Sequence, residues 1–287
     1  MTPQRTLAFT KMHGAGNDFV VLDATTQELP PLEGLSRQLC DRQRGVGADQ
    51  VLIVRAPQDS ANADFRMDIY NPDGSQVEMC ANGIRAFFKY LRDRNRIETD
   101  EIRVETLSGV VRPRWVGADR VRVDMGRPIL QPAKIPTTLG SGDGPVLDVA
   151  LDVAGETVRL SSVSLGNPHA VIEVPDVDSA PVARLGSAIE NHAAFPNRVN
   201  VEFIQIIDRG LVRQRTWERG TGETLACGSG ACAVAVTSML RDRTDRAVRI
   251  ALRGGDLEIE WAGDDQAVFM TGPAAEVFDG QISFGEE

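Results

Sequence analysis

The chain has 287 residues, enough for one large domain or two ordinary ones and for a full core without disulfide or metal staples. Hydrophobic residues at 42% and charged residues at 25% exclude the disordered and fibrous classes. The 41 acidic against 31 basic side chains leave a net charge of −10, which speaks against a nucleic-acid groove as a partner surface.

Taken in chain order, the N-terminus offers no apolar stretch of signal-peptide length, and no run approaches the ~20 residues of a membrane helix, so a cytosolic protein is expected. Asp18–Leu22 reads as a strand, Leu32–Arg42 as a peripheral amphipathic helix, and Gln50–Val54 and Phe65–Tyr70 as strands bounded by turn residues. After Cys80, the apolar residues Ile84, Phe87, Phe88 and Leu91 fall at i, i+3, i+4 and i+7 and predict a helix. Ile102–Val104 and Arg120–Asp124 read as strands, and the proline-rich stretch Gly126–Pro136 as a seam. Beyond it come strands at Thr157–Leu160, Ala170–Val174, Val201–Ile207 and Leu257–Trp261, with a peripheral helix at Val177–Asn191. Gly228–Arg241 is apolar nearly all round, which predicts a helix enclosed by other structure. The sheets are expected to be mostly antiparallel.

Aligning the two cysteine-led helices exposes a repeat. Asn71–Gly83 and Glu218–Gly230 both run from a strand through a polar, glycine-bearing loop into Cys-x-x-Gly and a helix, with Cys80 and Cys227 147 residues apart. Gly16-Asn17 matches Gly166-Asn167, and Gln50–Val54 matches Asn200–Ile204, each at a spacing of 150. Matches in the same order at nearly one spacing indicate a duplicated domain. The expected division is residues 1–126, completed by 274–287, and residues 127–273.

In a reducing compartment the four cysteines read as thiols. Cys40 and Cys232 sit on apolar helix positions and read as packing. Cys80 and Cys227 are different, because each lies where a turn enters a helix, near backbone N–H groups and the positive end of the dipole. The dipole alone supplies ~0.3–1 kcal/mol, less than one pKa unit at about 1.36 kcal/mol, so further neighbours must tune these thiols. His169 and Glu218 are the candidates. No Cys-x-x-Cys occurs and His13, His169 and His192 are scattered, so no metal site is expected. His13 reads as structural.

The segments Phe9–Phe19, Arg42–Gln50, Asn71–Ser75 with Met79–Arg85, Gly166–His169, Pro196–Asn200 and Glu218–Ala231 resemble, in order and over essentially the whole length, those of the diaminopimelate epimerases. The resemblance implies an α+β fold of two pseudo-symmetric domains, each a curled, mainly antiparallel sheet around a central helix, with the active site between them. It implies a cofactor-independent enzyme, without pyridoxal phosphate, that interconverts LL- and meso-2,6-diaminopimelate for lysine and peptidoglycan precursors. It further implies Asn17, Gln50, Asn71, Asn167, Asn200, Glu218 and Arg219 as binding residues, a small-molecule partner rather than nucleic acid or membrane, and a homodimer. Ala81 departs from the glycine expected after the first cysteine.

The chemistry is consistent with these residues. Inverting a Cα–H centre needs one group to remove a proton from one face and another to deliver one to the opposite face, with each member acting as base in one direction and acid in the other. Cys80 and Cys227 supply such a pair, and the helix N-termini at Ala81-Asn82 and Gly228-Ser229 supply N–H donors for the substrate α-carboxylate. Arg219 can fork onto a carboxylate, and the amides and Glu218 can accept from ammonium groups. The rival readings are a proline or hydroxyproline racemase of the same fold and an amino-acid binding protein that has lost the chemistry.

Overall fold

The computed structural model describes residues 5–140, 142–263 and 265–284. The chain divides into two compact units, one formed by residues up to 123 together with those from 272 onward, the other by residues 124–271. Residues 1–4 and 285–287, assigned to the first domain from sequence, lie outside the described residues.

The first unit runs β1 (Arg5–Gly14), β2 (Asn17–Asp23), α1 (Leu32–Cys40), β3 (Gln50–Arg55), β4 (Phe65–Tyr70), β5 (Gln76–Val77), α2 (Ala81–Asp93), β6 (Val104–Thr106) and β7 (Gly109–Val111), followed by the hairpin β8 (Arg114–Trp115) and β9 (Arg120–Asp124). The second runs β10 (Val146–Val153), β11 (Glu156–Ser164), β12 (Pro168–Glu173), α3 (Val182–Glu190), β13 (Asn200–Asp208), β14 (Leu211–Glu218), β15 (Gly222–Thr224), α4 (Gly228–Leu240), β16 (Ala247–Leu252), β17 (Gly255–Glu260) and β18 (Phe269–Pro273). The last strand, β19 (Ala275–Phe284), returns to pair with β1.

Strand order makes the duplication explicit. One sheet runs β19-β1-β2-β3-β4-β6-β7 with β5 on β4, and the other includes β10-β11-β12-β13-β14-β16-β17-β18 with β15 on β14. Registers repeat as well: Phe19 lies opposite Gln50 as His169 lies opposite Asn200, and Val51 opposite Tyr70 as Val201 opposite Trp217. Most pairs are antiparallel, but β2–β3, β4–β6, β12–β13 and β14–β16 are parallel. Each parallel pair is joined by a helical crossover, the connection parallel neighbours require.

Each sheet carries a helix on either face, so its strands are buried on both sides and lose the polar alternation of a half-exposed sheet. On one face of the first sheet Val20, Leu22, Val51 and Ile53 pack with Leu35 and Leu39 of α1, and on the matching face of the second Ala170, Ile172, Val201 and Phe203 pack with Leu185 and Ile189 of α3. The intervening residues point the other way, toward α2 and α4. Ile84, Phe87, Phe88 and Leu91 of α2 are fully buried, and α4 is buried at Gly228 and from Gly230 through Met239. Both are central helices.

Among the boundaries that differ from the sequence reading, three have a clear local reason. The helix expected over Leu32–Arg42 stops at Cys40, because the Asp41 carboxylate accepts from the Gln43 and Arg44 N–H groups and draws the chain into a turn. The helix expected from Val177 starts at Val182, because Pro181 occupies its N-cap and disfavours helical geometry in Ala180. Ile102 is buried but bonds through its N–H to the Pro113 carbonyl, and the strand begins at Val104.

Two helical glycines test this packing in opposite senses. A Cβ on Gly186 lies 2.6 Å from Trp217 Cγ, whereas one on Gly34 meets nothing within 4 Å. Gly186→Ala should destabilise the fold by about 1–3 kcal/mol through overpacking, and Gly34→Ala should stabilise it by about 0.5–1 kcal/mol. Urea denaturation of both variants checks this, and two changes of the same sign would refute the packing account.

Candidate active site

Both central helices begin on a cysteine. Cys80 has φ −136° and ψ 115°, Cys227 has φ −129° and ψ 114°, and each is the N-cap of a helix of 13 residues. Each sulfur accepts from the N–H three residues on, Gly83 or Gly230, at 3.4 Å. This is the N-cap hydrogen bond usually made by Ser, Thr, Asp or Asn, here made by a thiol. A Cβ on Gly230 would lie 2.5 Å from Glu202 Oε1, too close without a shift, and one on Gly83 would lie 3.1 Å from Leu52 Cδ2, a tight contact.

In the first unit three expected site residues meet at the helix start. Asn17 Oδ1 accepts from Asn82 Nδ2 at 3.3 Å and from the Cys80 thiol at 3.8 Å. Asn82 Oδ1 in turn accepts from Arg85, a fully buried guanidinium, at 2.7 Å. On its other side Asn17 donates to Asp49 at 2.8 Å, and Asp49 belongs to an ionic cluster with Arg42, Asp18 and Lys11. Gln50 donates to Asn71 Oδ1 at 3.1 Å, while its own Oε1 is buried with no donor among the described residues. Ala81 is buried at the first helical position, where its methyl is accommodated.

The second unit answers with ionisable groups. His169, fully buried, sets Nδ1 2.8 Å from Glu202 Oε1 and Nε2 3.1 Å from Asn167 Oδ1. Glu202 Oε2 accepts from Gln214 at 2.7 Å and Thr216 at 2.6 Å. Glu218 accepts from Thr224 at 2.6 Å. Burial pushes the Glu218 carboxyl above its ordinary value and the charge of Glu202 adds to this, against the hydrogen bond from Thr224 and a further one from Cys227. Burial likewise pushes the Cys227 thiol well up, reinforced by the charges of Glu218 and Glu202, and the Ser229 hydroxyl at 3.5 Å and the Gly230 N–H do not reverse it. These upward influences on the Cys227 thiol oppose the lowering that a helix N-terminus suggests.

Asn200 and Arg219 sit together but in a bracing role. Asn200 donates to the Pro168 carbonyl at 3.0 Å and accepts from the Arg219 N–H at 2.9 Å, tying the loop after β14 to the start of β12. The exposed Arg219 side chain bonds to the Asn197 carbonyl at 2.9 Å. Cys40 and Cys232 are buried, and burial raises the Cys40 thiol to about 11. Among the described residues, no group of three or more His, Cys, Asp or Glu side chains could hold a metal ion, and no helix is long and apolar enough to cross a membrane.

A family model for diaminopimelate epimerase matches residues 9–131 and 161–277. The chain belongs to the diaminopimelate epimerase family. It is 50% identical over 279 residues to the diaminopimelate epimerase of Moorella thermoacetica, an alignment covering 96% of this chain and 98% of that protein. It is 51% identical over 285 residues to that of Acidovorax ebreus, covering 96% and 97%. Among solved structures it resembles a hydroxyproline epimerase from Agrobacterium vitis with bound trans-4-hydroxy-L-proline, at a TM-score of 0.71 and 17% identity over 100% of this chain and 95% of that one. A PhzF-family phenazine biosynthesis protein from Bacillus anthracis gives 0.70 and 14% over 97% and 99%. These distant likenesses establish the fold, and the family rests on the closer relatives.

Glu202, Asp49 and Arg85, which bond to His169, Asn17 and Asn82, are residues that the sequence reading passed over. Arg85 and Asp49 lie inside segments already singled out, as an arginine in a buried first helical turn and an aspartate beside Gln50. Glu202 was visible only through the repeat, as an acid aligned with Leu52.

The cluster behind Asn17 carries a pH signature. Burial raises the Asp18 carboxyl, but the hydrogen bonds and charges of Arg42 and Lys11 outweigh it and hold it at about 2. A carboxyl depressed in the folded state stabilises above its unfolded value of about 3.9, and that stabilisation is lost as pH falls through about 2. Asp18→Asn should therefore lower unfolding free energy by about 1–2 kcal/mol at pH 7, with the gap from the parent protein closing toward pH 2. Denaturation series at several pH values read this directly, and a gap that is constant down to pH 2 would contradict it.

Proposed function

We propose that the chain interconverts LL- and meso-2,6-diaminopimelate by a two-thiol acid–base reaction that needs no cofactor. The observation that carries the reading is the pair of cysteine N-caps on duplicated helices in a chain of this family. One sulfur, as thiolate, takes the proton of the substrate Cα–H, forming an S–H bond and leaving the electron pair on carbon. The other, as thiol, gives its proton to the opposite face of that carbon and becomes the thiolate. The reverse direction exchanges the two roles, so the thiols titrate as a pair.

The neighbouring groups support this assignment. The N–H groups at Ala81-Asn82 and Gly228-Ser229 are donors for the α-carboxylate, where charge accumulates as the proton leaves. Gln50 Oε1, buried without a donor among the described residues, is suited to an ammonium N–H. Asn17, Asn71, Asn167 and Glu218 offer further acceptors, Arg219 a carboxylate fork, and His169 with Glu218 the local control of Cys227. Asn200 fits the site as the brace of the Arg219 loop. In this reading each half, residues 1–126 with 274–287 and residues 127–273, contributes one thiol. The enzyme works as a cytosolic homodimer that supplies lysine and peptidoglycan precursors.

Reduced enzyme incubated with LL-diaminopimelate in deuterium oxide should incorporate deuterium at the α-carbon and accumulate the meso isomer. No exchange and no inversion would sink the assignment, and turnover of proline instead would favour the racemase rival. Cys80→Ala and Cys227→Ala should each lower kcat for epimerisation by at least about 10²–10⁴-fold with the fold intact by circular dichroism. Near-normal turnover in either variant would refute the two-thiol chemistry.

A further inference from the structure

The duplicated frame gives both central helices the same seat and fills that seat differently. Val21 opposes Leu52 across β2–β3 as Val171 opposes Glu202 across β12–β13, so Glu202 stands at the place of Leu52. Each presses on the glycine of its helix's first turn, Leu52 on Gly83 and Glu202 on Gly230. The same register puts Phe19 at the place of His169. An apolar seat in one half is thus an acid–imidazole pair in the other.

Glu202 is fully buried and spends both oxygens as acceptors: Oε1 from His169 Nδ1 at 2.8 Å, and Oε2 from Gln214 at 2.7 Å and Thr216 at 2.6 Å. A carboxylate opposite Nδ1 requires a proton on that nitrogen, whichever way Nε2 and the Asn167 amide 3.1 Å from it share theirs. We infer that Glu202 is a positioning residue: it fixes the His169 proton on Nδ1 and sets a negative charge beneath the first turn of α4, making the two cysteine sites chemically unequal. The inference rests on the two-thiol reading for its purpose, though its chemistry stands without it.

The titratable groups described around Cys227 come from the strands beside it and from α4. Glu202 comes from β13, His169 from β12 and Glu218 from β14, and Cys232 lies on α4 itself. The other strands packed on α4, namely β11, β16 and β17, bury only apolar and serine side chains among the described residues. Glu202 and Glu218 are the charges that act on the thiol, and both favour its protonated form. The Glu202 carboxylate beneath Gly230 thus adds to burial and to Glu218 in favouring the protonated Cys227, a contribution that the Leu52 seat cannot make to Cys80.

Two variants separate the two effects. Glu202→Gln removes the charge but keeps an oxygen for Nδ1–H, and Glu202→Leu copies the seat of the first half and removes both. Alkylation of the full-length protein by iodoacetamide, followed across pH by mass spectrometry of the Cys227 peptide, should show the midpoint falling by about one unit in both variants, with faster alkylation at pH 8. The Cys80 peptide is the internal control and should keep its profile. Where the variants turn over diaminopimelate, the basic limb of the kcat profile should move to lower pH by the same amount with little change in KM. An unchanged Cys227 midpoint in either variant that folds overturns the electrostatic role.

Nitrogen-15 NMR of the unmodified protein tests the tautomer without any substitution, since only three histidines are present. A proton on His169 Nδ1 is expected, and an unprotonated Nδ1 overturns the positioning role even if neither variant folds. None of these thiol and imidazole readouts uses diaminopimelate. Failure of epimerisation with intact readouts would count against the proposed function alone.

Discussion

The hydrogen bond from a glycine N–H to a cysteine sulfur at the start of each central helix is the constraint on which the rest of this architecture turns. To accept it, the cysteine must hold an extended backbone while the chain behind it is already helical, and this fixes the sulfur at the helix mouth. The helix also lies close to its sheet at the third position, tightly at Gly83 and with no room for a Cβ at Gly230 unless Glu202 moves. Close seating in turn requires both faces of the sheet to be dry, with α1 and α3 covering the faces that α2 and α4 do not. One local cap thus links thiol placement to helix–sheet distance and to the burial of every central strand.

Duplication preserved this geometry and relaxed the chemistry around it. Cys80 donates to Asn17, which also accepts from Asn82, and the buried Arg85 guanidinium donates to Asn82. Cys227 meets Glu218, His169 and Glu202, and burial with two carboxylates pushes its thiol upward. Equal geometry is what stereoinversion at one carbon asks of two groups. Unequal electrostatics is what a pair needs when one member must hold a proton that the other lacks.

Much of the fold was legible in the sequence because two signals were strong. The 3.6-residue periodicity after Cys80 and the all-apolar run after Cys227 marked the central helices, and the repeat at 147–150 residues tied them together. What was less legible followed from the double burial of the sheets. A strand such as β13 reads as half-exposed when Glu202 interrupts Val201 and Phe203, yet the face carrying Glu202 is as dry as the face carrying its neighbours. Alternation assumes water on one side, and here α4 replaces it. The parallel pairs were hidden for a related reason, since register across a helical crossover leaves no local turn signature. The bracing role of Asn200 was equally invisible, because an amide that ties two loops and one that meets a ligand are the same residue in a sequence.

Placing a carboxylate between a sheet and a helix has a cost that the surrounding bonds must offset. An unpaired buried carboxylate costs several kcal/mol, and the Leu52 seat shows that the fold accepts an apolar residue at that place. The second unit therefore gives up packing that its own repeat demonstrates. Three donors converge on Glu202 from two strands, so the loss is contained and the carboxylate is left with one orientation. A group held that firmly cannot reorganise when a proton moves nearby, and preorganised charge of this kind contributes to a barrier without being solvated anew at each turnover. The first unit seats α2 on an apolar side chain, while the second seats α4 on a carboxylate held by three donors.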